Sequence, residues 1–141
     1  MAKTHSRWAT FTYNSQVLTC DITSASNVGI PYEKIDIVTL CNAMMESIAG
    51  RGNVSMGVAA LFNNAPNMSH KVIEPLNGDN TGATLVIEIG SGAAPTTGDA
   101  NFTVTNCCVF DYQVSVPGGI VTSSWTWILG EGATAAWGTV A

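Results

Sequence analysis

The side chains of this sequence that could perform chemistry are its four cysteines, two histidines and ten acidic residues. A nucleophilic site needs a serine or cysteine beside a base, and a general acid–base site needs two titratable groups held close together. Neither pattern is found, because His5 lies in an N-terminal arm, His70 lies on a predicted helix, and the acidic residues occur singly. The GxSxG and HExxH motifs are absent, and the glycines at 50–52 lack phosphate-loop spacing. We therefore predict no catalytic residues and no enzyme activity.

A metal site is not indicated by the cysteines and histidines either. The cysteines occupy positions 20, 41, 107 and 108, and none of their spacings gives the CxxC pair of a zinc site. Cys107 and Cys108 are neighbours, so their side chains would point to opposite faces of a strand. The N-terminal residues lack the apolar stretch of a secretory signal, so we expect reduced, buried cysteines. No metal and no cofactor are expected.

The composition indicates a single domain whose surface is largely covered by other protein. Hydrophobic residues make up 46% of the 141 residues and charged residues 11%, compared with about 25% charged residues in a typical soluble domain. A weakly charged surface is poorly protected against association. The net charge is −5, and the five Lys and Arg residues are widely spaced. This spacing disfavours a nucleic-acid-binding module and a polybasic membrane surface.

The elements that would carry these residues are mostly strands, and alternation is strongest near the C-terminus. From 102 to 116 the even positions are apolar except Asn106, and from 121 to 129 the odd positions are mostly apolar. The Pro-Gly-Gly run at 117–119 is typical of a turn, so two long strands should pair as a hairpin.

Three tryptophans near the C-terminus raise the question of ligand binding. Trp125 and Trp127 share one strand face and could stack on a sugar ring, but their alignment with apolar neighbours favours core packing. Trp137 follows the last predicted strand. It is expected either to fold back onto the domain or to anchor into a neighbouring subunit.

The remaining segments complete a mainly β architecture. A helix is predicted over 66–74, limited by Pro75, which removes an amide and clashes with the preceding turn. We predict a β-sandwich or partly closed barrel with one short α-helix and a long projecting loop. The further predicted strands cover residues 8–13, 17–23, 33–40, 53–62 and 84–89.

The projecting loop, residues 41–52, places Met44, Met45 and Ile48 in a connection between strands. Such apolar side chains could lie against an adjacent subunit, since methionine adapts to irregular partner surfaces. The alternative is that the loop folds back over the edge of its own sandwich.

The order of these elements resembles the tail tube (major tail) proteins of long-tailed bacteriophages. The stretch IPYEKIDIVTLCNAMMESIAGRGNVSMGVAALFNN, residues 30–64, is similar to the central block of that family. The similarity continues through the short helix, the strand ATLVIEIG, and the closing SWTWILGEGATAAW segment. It covers nearly the whole chain, although each motif by itself is degenerate.

The resemblance implies a structural virion protein of the phage tail, assembled in the host cytoplasm into stacked hexameric rings. The tube would conduct DNA during ejection, with only transient DNA contact, and would join tape-measure, terminator and baseplate proteins. One tail-tube domain would cover 1–141, with an N-terminal arm at 1–7, the loop at 41–52 and a C-terminal tail at 130–141. Candidate interface residues are Met44, Met45, Ile48, Arg51 and Trp137, and candidate lumen residues are Asp21, Glu33, Asp36 and Asp111.

A second reading of the same strand pattern is a small β-sandwich binding module. A capsid decoration protein or a receptor- or carbohydrate-binding domain would share the low charge and the aromatic residues. Oligomeric state separates the two readings, because a module stays a monomer or compact trimer and a tube protein forms rings or filaments.

Overall fold

The computed structural model describes residues 6–37 and 46–141, and most of them lie in antiparallel strands. One α-helix, α1 (Ser69–Ile73), continues into a 3₁₀ turn at Glu74–Leu76, and another 3₁₀ turn covers Ser6–Trp8. No helix of this described part is long and apolar enough to cross a membrane. The strands are β1 (Ala9–Tyr13), β2 (Gln16–Val17), β3 (Ile22–Ser26), β4 (Tyr32–Ile37), β5 (Glu46–Gly52), β6 (Ser55–Leu61), β7 (Ala83–Ile89), β8 (Ala100–Ser115), β9 (Thr122–Leu129) and β10 (Ala135–Thr139).

The main sheet has the strand order β2-β1-β7-β8-β9-β6-β3, and β10 also pairs with β8. Neighbouring strands lie about 4.8 Å apart, so a flat sheet would separate β1 from β9 by about 14 Å. The rings of Tyr13 on β1 and Trp127 on β9 are nevertheless 5.4 Å apart. The sheet therefore curls around one core, and among the described residues it stays open instead of closing into a barrel. This confirms the prediction of a mainly β fold with one short helix.

The core contains the apolar faces that the alternation predicts for β6, β7 and β9. Met56, Leu85 and Ile87 are buried, and Trp125 and Trp127 pack edge to face with their rings 5.6 Å apart. Both tryptophans are almost fully buried, so neither presents a ring on which a sugar could stack. Core packing, the favoured reading for this pair, is confirmed.

The predicted face of β8 is correct only for its first part. Phe102 and Val104 are buried as predicted, but just beyond Asn106 the odd-numbered Cys107 and Val109 join the core cluster, although Cys108 is buried too. Asn106 has a φ of 50°, and the register of β8 against β7 shifts at this point. A β-bulge adds one residue to one strand and so exchanges the two faces of that strand up to the next such irregularity. A second register shift between Phe110 and Gln113, where Asp111 has a φ of 58°, returns the even-numbered Tyr112 to the core side.

Two shorter elements also differ from their predictions. The predicted strand over 17–23 is not continuous: Val17 belongs to β2, which pairs with β1, whereas Ile22 and Thr23 belong to β3, which pairs with β6. The helix begins at Ser69 instead of residue 66, and Asn67 has a φ of 63°, which a right-handed helix excludes. Pro75 lies in the 3₁₀ turn that follows α1.

The stretch predicted as a projecting loop is in large part a strand. Residues 46–52 form β5, which pairs with β4 as a separate two-stranded sheet. We call this β4–β5 hairpin the arm. Met44 and Met45 lie outside the described residues. The tail at 130–141 likewise contains β10, a strand that the sequence analysis did not predict.

Candidate assembly surfaces

The arm exposes a pair of isoleucines that a self-contained domain would bury. Ile35 and Ile48 are directly opposite each other in the β4–β5 register and are 42% and 52% exposed. Directly paired residues share one face of a two-stranded sheet, so the two side chains form one apolar surface. Tyr32, also on β4, is 61% exposed. The arm therefore does not fold back over its own sandwich at these residues.

Two charged residues of the arm, Lys34 and Asp36, lie on the face of β4 opposite to Ile35. Lys34 lies 3.5 Å from Asp36 as an exposed ion pair, and the hydroxyl of Ser47 donates to the Asp36 carboxylate at 2.7 Å. Glu33 and Arg51, a predicted lumen residue and a predicted interface residue, are both exposed. The arm thus presents apolar and polar groups together, as the core and rim of a protein interface do.

Trp137 folds back onto its own chain, which is one of the two alternatives that the sequence leaves open. Its ring packs 4.9 Å from that of Phe102, because β10 pairs with the first part of β8 in the register Trp137 to Phe102. Half of the Trp137 side chain remains exposed. The contact with Phe102 fixes the ring in place and leaves an aromatic surface beside the outer edge of β10.

Asp21 is not a surface charge, which corrects its prediction as a lumen residue. It is 5% exposed, and its two carboxylate oxygens accept hydrogen bonds from the Asn63 amide and the Ser69 backbone N–H, each at 3.0 Å. Ser69 is the first residue of α1, so the carboxylate satisfies a backbone donor that the helix leaves unpaired. Asp21 therefore holds the helix against the sheet.

The other three acidic candidates lie on two different surfaces. Glu33 and Asp36 belong to the arm, whereas Asp111 is exposed on the main sheet with a φ of 58°. Within one chain the structure does not bring the four predicted lumen residues together.

The outer face of β3, β6, β9 and the second half of β8 carries small, uncharged side chains. Cross-strand pairing places Ser24, Ala59, Ser124 and Gln113 in one row across the four strands. Asp111 is the charged residue lining the shallow groove of about 520 Å³ on this face. Lys, Glu, Arg and Asp are mostly exposed in folded proteins, so a nearly uncharged exposed face is a feature that the sequence analysis did not identify.

A second groove of about 620 Å³ separates β3 from β1 and β7. Seven of its eleven lining residues are apolar, and the polar ones are Arg7, Thr19, Thr23 and Ser24. Its apolar lining residues are Ala9, Phe11, Ile22, Ala25, Val28, Ile87 and Ile89.

The buried titratable groups of the core take part in packing. The Tyr13 hydroxyl donates to the Cys107 carbonyl oxygen at 2.6 Å, and burial raises the pKa of Tyr13. Burial also raises the pKa of the Cys107 thiol to about 12, which keeps it protonated and unreactive. The described residues contain no group of three or more His, Cys, Asp or Glu side chains that could hold a metal ion.

Comparison with known proteins shows similarity of fold without recognisable similarity of sequence. No family model and no curated protein sequence matches the chain. A chain of the anti-feeding prophage cap (AFP tube terminating cap) matches with a TM-score of 0.74 and 12% identity, over 99% of this chain and 93% of that one. A chain of the PVC sheath-tube complex, from an extracellular contractile injection system, matches with a TM-score of 0.72 and 11% identity, over 98% and 93%. A chain of the native gene transfer agent virion matches with a TM-score of 0.60 and 16% identity, over 99% and 100%.

Proposed function

We propose that this protein is a structural subunit of a tail tube in a phage or phage-like particle. The observation that carries the proposal is the match over 98% of the chain to a protein of a sheath-tube complex. Because the identity is 11%, this match concerns the fold. The step from fold to function depends on the exposed apolar arm, the open strand edges and the weakly charged surface.

In the proposed assembly, copies of the chain form hexameric rings, and the rings stack into a tube. Two different contacts are needed, one within a ring and one between rings, and both join unlike surfaces of identical subunits. The arm supplies the contact between rings, with the surface of Ile35 and Ile48 against the next ring and Met44 and Met45 nearby in sequence. Arg51 and Trp137 are proposed to lie at subunit contacts.

The lumen of such a tube is proposed to be weakly acidic, so that DNA passes through without sticking. A net charge of −5 repels phosphate, and dispersed Lys and Arg residues offer no binding track. Glu33, Asp36 and Asp111 remain the candidate lumen charges. Assembled tubes are expected to leave double-stranded DNA unbound at low salt; tight, salt-sensitive binding by wild-type tubes contradicts this part of the proposal.

The proposed partners are the other proteins of a tail. A tape-measure protein would fill the tube before ejection, a terminator would cap it, and a baseplate or tip would close the other end. The place of action is the virion tail, after assembly in the host cytoplasm. The protein acts as a conduit wall and is not proposed to catalyse a reaction.

The experiment that tests the proposal is negative-stain electron microscopy of purified protein, combined with light scattering after size-exclusion chromatography. Rings or tubes are expected. A protein that remains a monomer or compact trimer at high concentration contradicts the proposal and favours the binding module.

The role of the arm is tested by the double variant Ile35→Ser, Ile48→Ser. We expect a folded protein that no longer stacks, since the two side chains are exposed in the isolated chain. The matched control is Val17→Ser, which removes a 60% exposed valine from β2, outside the arm, and should assemble normally. If the double variant unfolds, the two isoleucines stabilise the fold of the monomer, and the proposal that the arm forms the contact between rings is wrong.

A further inference from the structure

The β8–β9 hairpin ends in an apolar surface that the described part of the chain leaves exposed. Val116 and Ile120, which flank the turn at 117–119, are 76% and 69% exposed. Val114 is 40% exposed and is directly opposite Ser123, which is buried. Directly paired residues share one face of a sheet, so Val114 continues the inner face of the hairpin beyond the core. We call residues 114–120 the tip.

The tip and the arm together carry most of the exposed apolar side chains of the described residues. Nine large hydrophobic residues are exposed there, and six of them lie in these two places. The apolar residues of the groove beside β3 are different, because Phe11, Ile22 and Ala25 already pack against the core. The chain therefore has two separate projections, each with apolar side chains that its own core does not use. The six residues are Val114, Val116 and Ile120 in the tip, and Tyr32, Ile35 and Ile48 in the arm.

The two surfaces differ in charge, and this difference favours contact between unlike surfaces. Residues 112–130 of the hairpin contain no charged side chain. The arm carries Glu33 and Asp36 beside Ile35 in sequence. An uncharged partner can cover the isoleucine pair without placing a like charge near these carboxylates, whereas a second arm would bring its own carboxylates to the contact.

We infer that the tip of one copy is the surface on which the arm of a second copy docks. The three apolar residues of the tip would lie against the isoleucine pair of the arm, so both groups would be removed from water. Because the two surfaces are unlike, the contact is heterologous and can repeat from ring to ring. The inference rests on the proposed function and deepens it, since it names the surface that receives the arm in the next ring.

One arm–tip contact is small, but a ring presents several of them together. A stable protein interface buries about 1,600 Å² in total, which a handful of side chains does not reach. Once one arm has docked, the other arms of the same ring meet their tips at a high effective concentration. Stacking of rings should therefore be far stronger than pairing of two isolated chains through the same contact.

Engineered cysteines test whether the two surfaces meet. Ile48→Cys and Ile120→Cys are made in separate chains with a Cys20→Ser, Cys41→Ser background, whose remaining native thiols are buried. The two proteins are mixed, assembled and oxidised, and disulfide-linked dimers are separated on a non-reducing gel. We expect dimers in the mixture and none in either protein alone.

The controls distinguish the tip from other surfaces. Val17→Cys, at an exposed position on β2 outside both projections, replaces Ile120→Cys in one mixture and should give no dimer. Ala25→Cys replaces it in another mixture and tests the groove beside β3. Dimers through the groove without dimers through the tip overturn the inference. Dimers of the Ile48→Cys protein alone, or of the Ile120→Cys protein alone, show contact between like surfaces and overturn it as well.

Defective rings give an independent test. Val116→Ser, Ile120→Ser removes the tip surface and keeps the arm, whereas the arm-deficient Ile35→Ser, Ile48→Ser protein keeps the tip. Each variant alone should form single rings, and circular dichroism verifies its fold. When preformed rings of the two variants are mixed, they should stack in pairs and stop, which doubles the mass measured by light scattering. Normal tubes from the tip-deficient protein overturn the inference, and if that variant unfolds the cross-linking result decides.

The two proposals fail in different ways. Wild-type tubes that form while the arm and tip cysteines do not cross-link overturn the docking surface and leave the tube function standing. Wild-type protein that stays monomeric under all conditions overturns the tube function, and the docking surface with it.

Discussion

Replacing Asn106 tests the bulge that exchanges the two faces of β8. Asn106 holds a φ of 50°, a left-handed conformation that asparagine tolerates better than other residues with a side chain. Its side chain also joins three segments: the amide oxygen accepts from Gly82 N–H at 2.8 Å, and the amide nitrogen donates to the Glu131 carbonyl at 2.5 Å. The Asn106→Ala variant loses both hydrogen bonds and strains the backbone.

The expected magnitude follows from these two effects. Each lost hydrogen bond costs about 1 kcal/mol of unfolding free energy, and a left-handed alanine costs about 1 kcal/mol more. Asn106→Ala should therefore lower the unfolding free energy by about 3 kcal/mol. Asn106→Gly loses the same hydrogen bonds without the strain, but glycine loses more chain entropy on folding, so this variant should lower it by about 2–3 kcal/mol.

Urea denaturation of the wild type and both variants measures these values, with Gln113→Ala, an exposed change on the same strand, as the control. The control should stay within about 0.5 kcal/mol of wild type. The difference between the alanine and glycine variants reports the backbone strain of alanine minus the larger chain entropy that glycine loses on folding, about 0.5–1 kcal/mol. A glycine variant that is less stable than the alanine variant by this amount would show that the bulge does not constrain this backbone, and the explanation for the exchanged faces would then be wrong.

Three further predictions concern single residues. Asp21→Ala should lower the unfolding free energy by about 2–4 kcal/mol, because it leaves the buried Ser69 N–H without its acceptor; a loss below about 0.5 kcal/mol in urea denaturation would contradict the role of Asp21. Hydrogen bonds from the Thr96 backbone and the Ser91 hydroxyl lower the pKa of Asp99. The ionised Asp99 carboxylate therefore stabilises the folded state above the unfolded pKa of about 4, and this stabilisation is lost as the pH falls through the lower folded pKa. The protection of the Thr96 amide against hydrogen exchange should therefore fall in acid, and should be weak at every pH in Asp99→Ala. Because the pKa of the Cys107 thiol is about 12, only about one thiol in ten thousand is ionised at pH 8. Iodoacetamide should therefore leave Cys107 unmodified until the protein unfolds. Rapid labelling of the native protein would show that Cys107 is accessible.

The strands that run regularly through the core were predictable from the sequence. In β6, β7 and β9 the apolar residues recur at every second position, and the structure buries Met56, Leu85 and Trp127 on the faces so predicted. This succeeds because the two-residue period of a strand is a local geometric property. The helix was predictable because its 3.6-residue period is also a local property, although its start depended on the left-handed Asn67.

For the candidate assembly surfaces, the sequence predicted the types of residue involved but not which residues lie side by side. The apolar residues at 44, 45 and 48 indicated an exposed contact surface, but the partner of Ile48 across the arm, Ile35, became apparent only when β5 paired with β4. Asp21 was misassigned because an isolated acid in the sequence gives no sign that it will lie beside the first turn of a helix 48 residues away. The polar Asn106 on an apolar face was the one local signal of the bulge.

The sequence by itself determined that this chain is a mainly β protein with a weakly charged surface suited to association. Composition and alternation are local properties, so they do not depend on which distant segments pair. The tertiary structure alone decided which edges stay open, which acid is buried and which apolar residues are exposed. These properties depend on pairing between segments far apart in the chain, such as β3 with β6 and β10 with β8. Each bulge of one residue reverses the faces of the strand up to the next bulge, so the surfaces proposed for assembly are set by long-range register.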